Sequence, residues 1–291
     1  LETIEALLGR LHGHDLAGIH LLELHLHRLQ VLMSLGRYSQ VVDACSRAQV
    51  LLERVLPSWG EFFRTTLHME GAYCAVYLDP RPETAGRLLE SLEPIDLPGT
   101  LRFIARSVRG ELELTRGNVR TAALIQRVSL RYAGNWRSIL GSGSQWELYI
   151  LSMCLVTDVE LSPDDAVELD ARAVRARATS LLREILSDPA PQQRDIPSLM
   201  AFAAAVGLSA VAAEDAGPDW RAVGAELVAT ALAVGTNQTC RLLSHDYLRS
   251  RTERLDARAL AQAEERIRSL DRGGLVAHAA DLAGRLAGEV G

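Results

Sequence analysis

The 291-residue chain is 48% hydrophobic and 5% aromatic, with 31 cationic against 37 anionic side chains for a formal net charge of -6. It is long and apolar enough to bury a core without covalent staples. The acidic balance excludes a broad nucleic-acid-binding face, which needs a clustered cationic excess. The chain is lysine-free, so all 31 cations are arginine. Every positive charge is then a permanently protonated planar fork, and Schiff-base or low-pKa amine catalysis is excluded.

In chain order, apolar residues recur at helical spacing between Gly, Pro and Asp punctuation. Helices are predicted over 16–35, 38–56, 59–78, 82–93, 98–116, 119–133, 145–158, 163–187, 197–215, 219–235, 239–251, 256–271 and 274–288. Period-two strand signals are missing, so the expected class is all-α. Ser162-Pro163-Asp164-Asp165 supplies an N-cap, a proline at the first helical position and carboxylates at the positive end of the dipole. Gly217-Pro218-Asp219 ends one helix and starts another, and Gly141-Ser142-Gly143-Ser144 reads as a hinge. The most apolar stretch, residues 199–213, stops at Glu214-Asp215, short of the roughly 18 residues a membrane span requires. No membrane association is expected. Cys45, Cys74, Cys154 and Cys240 lie far apart without CxxC spacing, which reads as reduced thiols in a cytoplasmic protein. The start at Leu1, without a signal-like segment, reads as a piece of something longer.

The stretch Met33-Ser34-Leu35-Gly36-Arg37-Tyr38-Ser39-Gln40-Val41, followed by Cys45 and Ala48, resembles the turn and second helix of a tetratricopeptide repeat. A second copy runs from Leu114 to Ala122, with Gly117 in the place of Gly36 and Val119 in that of Tyr38; Asp79-Pro80-Arg81-Pro82 could hold a turn between them. Turns recur roughly every forty residues, a spacing suited to two-helix units. The resemblance covers residues 16–133 and departs from the family at Val41 and Leu29, where small residues are usual. It implies a right-handed α-solenoid of antiparallel helical hairpins, about 13 helices in all. Residues 1–140 would form the repeats, and 141–291 would continue the array as further hairpins. The Ala- and Arg-rich style is also similar to repeat or sensor regions of large actinobacterial signalling and transcription regulators.

Glu23, His27, Gln30 and Ser34 recur at i, i+4, i+7 and i+11 and make one polar stripe before the first turn. Ser107, Glu111 and Thr115 repeat the pattern before the second. These seven residues are the candidate partner-binding positions, because a concave groove reading a peptide would carry such stripes; a solvated helix face gives the same pattern. Five of the eight histidines fall in the first 27 residues, but none pairs at a facial i, i+4 spacing, so no metal site is expected. Trp146, Tyr149 and Met153 share a helical face and read as core, as do Trp59, Phe62 and Phe63. Arg249, Arg251, Arg254 and Arg258 are interleaved with Asp246, Glu253 and Asp256, which reads as a salt-bridged face. No HExxH, GxSxG, GxGxxG or GK[ST] motif occurs.

The expectation is a non-catalytic protein- or peptide-binding module that needs no cofactor. The alternative is a small-molecule-sensing helical domain, and an all-helical enzyme built round His245 and Asp246 is a third reading. Helices over 197–235 are apolar on more than one face, which suits a buried core or a homodimer interface, and a homodimer is the expectation.

Overall fold

The computed structural model describes residues 2–11, 18–34, 40–45, 65, 67–69, 71–78, 81–93, 97, 99–133, 143–161, 169–187, 196–213, 217–236 and 240–288. These residues are overwhelmingly helical and contain no strand, so the chain is all-α. It divides into two compact units, Leu1–Arg116 and Gly117–Gly291.

The first unit contains α1 (Glu2–Leu11), α2 (Gly18–Ser34), a helical stretch at 40–45, a π-helical segment (Cys74–Leu78), α3 (Pro82–Glu90) and α4 (Gly99–Thr115). α1 lies outside every helix predicted from apolar spacing. The core brings Leu29 and Leu32 of α2 together with Val41, Cys45, Leu67, Cys74, Leu88, Leu89, Val108 and Leu112. α3 starts on Pro82, whose missing N–H would have had no intrahelical partner there, and carries Glu83 in its first turn. The entry is pinned from both sides: the Arg81 N–H donates to the Ala75 carbonyl at 2.7 Å, and its guanidinium meets Asp43 at 3.1 Å. Gly117, with φ +84°, occupies the left-handed region directly after this unit.

The second unit contains α5 (Val119–Ala133), α6 (Gly143–Glu160), α7 (Ala171–Ser187), α8 (Ile196–Ala212), α9 (Pro218–Val234), a 3-10 turn (Arg241–Leu243), α10 (His245–Ile267) and α11 (Arg272–Gly288). Residues 199–211 of α8 and 223–232 of α9 are buried without interruption, as in helices surrounded on every side. They pack on each other. α6, α7 and α10 also touch α8, α10 and α11 touch α9, α11 lies on α7, and α5 lies on α6. The crossing of α8 and α9 has no room for side chains at its centre: a Cβ on Gly207 would stand 2.5 Å from the Gly224 carbonyl oxygen, and one on Gly224 2.8 Å from that of Gly207.

Three local features depart from or refine the expected helices. The predicted helix over 163–187 is not continuous: Leu169 and Asp170 are non-helical, and Asp170 caps a new helix by accepting the Ala173 N–H at 2.9 Å. The proposed cap at Ser162–Asp165 lies outside the described residues, as do residues 141 and 142 of the expected hinge; Gly143 and Ser144 open α6. α10 is really two helices, because Asp256 is non-helical (φ -158°, ψ 81°) and accepts the Ala259 N–H at 2.8 Å. Arg249 and Glu264 meet at 2.8 Å, although fifteen residues of straight helix would separate them by roughly 22 Å. The two arms therefore fold back on one another, close to the break expected between 251 and 256.

Gly207→Ala should lower the stability of the second unit by about 2–3 kcal/mol, because a backbone oxygen cannot move aside as a side chain can. Gly217→Ala, where the added Cβ has nothing within 4 Å, should cost far less. Urea midpoints of the two variants check this.

Candidate functional site

The two predicted polar stripes occupy different environments. On α2, Glu23 and His27 are exposed while Leu29 and Leu32 on other sides of the helix are buried, so this face meets solvent. Glu23 also meets His20 at 3.3 Å. Gln30 and Ser34 belong to the same helix, and their side chains lie outside the described residues. On α4, Ser107 is 1% exposed and Glu111 2%, so neither lines an open groove within the chain. The Ser107 hydroxyl returns to the Phe103 carbonyl at 3.1 Å and that of half-buried Thr115 to the Glu111 carbonyl at 3.0 Å. α4 is buried from Gly110 to Leu114. A run buried on all sides gives polar spacing no meaning as a solvent-facing stripe.

Of the four arginines expected on a salt-bridged face, Arg249 and Arg251 are paired, and among the described residues only Arg249 meets one of the interleaved acids. Arg249 pairs with Glu253 at 3.1 Å as well as Glu264. Arg251 meets Glu160 at 2.9 Å and donates to the Val159 carbonyl at 2.7 Å. The Tyr247 hydroxyl donates to Glu160 at 2.8 Å, and burial, with Glu160 beside it, pushes this phenol well above its ordinary range. Arg258 is exposed and has no ion-pair partner among the described residues.

Arg258 belongs to an open cleft of about 410 Å³ between the start of α9 and the break in α10, lined by Pro218, Arg221, Ala222, Asp256, Arg258, Ala259 and Gln262. Local structure sets each polar wall. Pro218 fixes the first turn of α9, Arg221 is steered by donating to the Ala213 carbonyl at 3.1 Å, and Asp256 is tied down as the cap of the second arm of α10. Arg258 and Gln262, four residues apart on that arm, remain outward-facing donors. In the sequence Arg258 belongs with the rest of its arginine run; only the fold-back of α10 brings it beside residues 218–222.

The other charged groups hold helices together. Glu226 on α9 accepts from Arg266 at 2.7 Å and from His278 Nε2 at 2.8 Å, joining α9 to α10 and α11. A carboxylate can only accept, so the ring nitrogen there carries the proton. Glu147 on α6 accepts both Nε and Nη2 of Arg177, at 2.8 and 3.1 Å. None of the four cysteines is in a disulfide, and Cys45, Cys74 and Cys154 are buried. Burial pushes the Cys154 thiol up to about 12, with nearby Arg127 only partly offsetting it. His245 and Asp246, the seed of the enzyme reading, stand at the start of α10, and no group of three metal-binding side chains is found among the described residues.

Comparison with protein-family models, curated proteins and solved structures yields no match.

Glu226→Ala should destabilise the chain by about 2 kcal/mol, less than a fully buried pair would give because Arg266 is partly solvated; thermal unfolding reads it. In a thiol-reagent time course near pH 8, Cys240, the half-exposed cysteine, should react first. Cys154 should react only as fast as the chain opens.

Proposed function

We propose that this chain is a non-catalytic helical binding module that captures a protein or peptide partner, acting as a scaffold or sensor region of a larger regulatory protein. The observation that carries the reading is the open cleft at the start of α9, with outward-facing Arg258 and Gln262 on one wall and Arg221 on the other. A planar fork without an internal acid is suited to a carboxylate on a partner. Against a net charge of -6, such a local cationic cleft favours an acidic segment at one place and repels it elsewhere, which gives specificity more than affinity.

The proposed architecture is a TPR-like α-solenoid, and its repeat character rests on residues 16–133, where the tetratricopeptide-like turns fall. In the second unit α11 lies on α7 and α10 on α8, contacts between helices distant in sequence that a strictly linear array would not make. The exposed Glu23–His27 face of α2 is the second proposed contact surface.

Peptides selected from a random display library on the intact chain should be enriched in Asp and Glu. Arg258→Glu should weaken their capture by roughly tenfold or more, equivalent to one charge-assisted contact. Enrichment without acidic bias, or capture unaffected by Arg258→Glu, would remove the cleft as the recognition surface. Capture lost instead in a Glu23→Ala, His27→Ala double variant would place recognition on α2.

A further inference from the structure

Arg127 on α5 is 9% exposed, and Nη2 donates to Asp158 Oδ1 of α6 at 3.0 Å. Its Nε and Nη1 are closed off from solvent and meet no acceptor. A guanidinium offers five N–H donors in a rigid plane, and a buried one ordinarily fills them. Arg127 leaves most of its fork unused.

Nor is Asp158 its counter-ion alone. Arg175 on α7, 6% exposed, draws on the same carboxylate electrostatically. Arg175 also donates to the carbonyl and hydroxyl oxygens of Ser209 at 3.3 and 3.1 Å and stacks over the Trp220 ring at 5.2 Å. Burial lowers the pKa of Arg127 in spite of Asp158, the direction expected of a guanidinium short of surrounding negative charge. Water could complete the hydrogen bonds but would leave that charge deficit in place, whereas a small anion satisfies both. The cluster is not sealed, because the Asp158 side chain is 35% exposed and lies at its solvent side.

We propose that Arg127 is the centre of a binding site for a small carboxylate. The ligand's carboxylate accepts from the donors that Asp158 does not use, Arg175 supplies a second positive field, and Asp158 limits affinity as a neighbouring like charge. The site uses none of the residues of the cleft at α9, so it stands or falls separately from peptide capture.

The test is calorimetric titration and thermal unfolding of the intact chain with sodium acetate, against sodium chloride and phosphate at matched ionic strength. Acetate should give a saturable heat and a raised unfolding midpoint. Asp158→Asn, which removes the competing charge, should tighten acetate binding by roughly tenfold. Arg127→Met should abolish it. Arg127→Lys, which keeps the charge but loses the fork, should weaken it by roughly tenfold and serves if the methionine variant does not fold. No saturable response to acetate would mean that water or nothing occupies Arg127, and would overturn the proposal. So would a response to chloride alone, one that follows ionic strength whatever the anion, or one unchanged in both Arg127 variants.

Discussion

Where α8 crosses α9, each helix presents a glycine to the other's backbone, and the gap left for a Cβ on either side is under 3 Å. A glycine inside a helix costs about 1 kcal/mol in propensity relative to alanine, so two of them facing each other must be offset by what their absence of side chain permits. What they permit is backbone-to-backbone contact. Alanines then fill the flanks, and the helices bury themselves in each other without large side chains. A hairpin packed this closely offers the surrounding helices a slender, almost wholly apolar core, which explains how 5% aromatic content suffices.

The same two glycines set the direction of the polar contacts. Residues two apart on a helix point about 200° away from each other. With Gly207 turned to α9, Ser209 is turned to the far side of α8, where Arg175 of α7 reaches it. With Gly224 turned to α8, Glu226 is turned to the far side of α9, where Arg266 and His278 meet it. The contacts that attach α7, α10 and α11 are thus placed by the register of one crossing. Apolar packing of alanine against alanine is tolerant of sliding. A buried carboxylate held between a guanidinium and an imidazole is not, so these groups select one arrangement among several of similar burial.

Periodicity made most of the helices readable, and α5 emerges with the boundaries it predicts. The break at Asp256 was also legible, since an aspartate can cap the helix that follows it. Other features were not. α1 is not predicted, because ten residues ahead of a Gly- and His-rich stretch give too little periodic signal. Leu169 and Asp170 looked helical because the apolar spacing runs through them, while the cap that divides the segment depends on one side-chain hydrogen bond. The stripe Ser107–Glu111–Thr115 has the same spacing as Glu23–His27, yet its first two residues are closed from solvent. Spacing reports which residues share a face but not what that face meets. The cleft at α9 needed the fold-back of α10, which brings together residues some forty positions apart.

A chain whose only cation is arginine can be read as a matter of codon use, but the described contacts exploit what lysine lacks. Arg177 grips Glu147 through two nitrogens, and Arg175 combines two acceptors on one helix with the face of an indole on another. A lysine ammonium, a point charge on a flexible stem, could not hold either geometry. Against that pattern Arg127 stands apart: buried like Arg175, it meets a single acceptor, and both its Nε and its Nη1 are closed off without one. Where Arg175 is answered by two acceptors and an indole, Arg127 has one shared carboxylate, which leaves cationic capacity in reserve beside a partly solvated acid. That is the physical condition for taking up a small anion from solution.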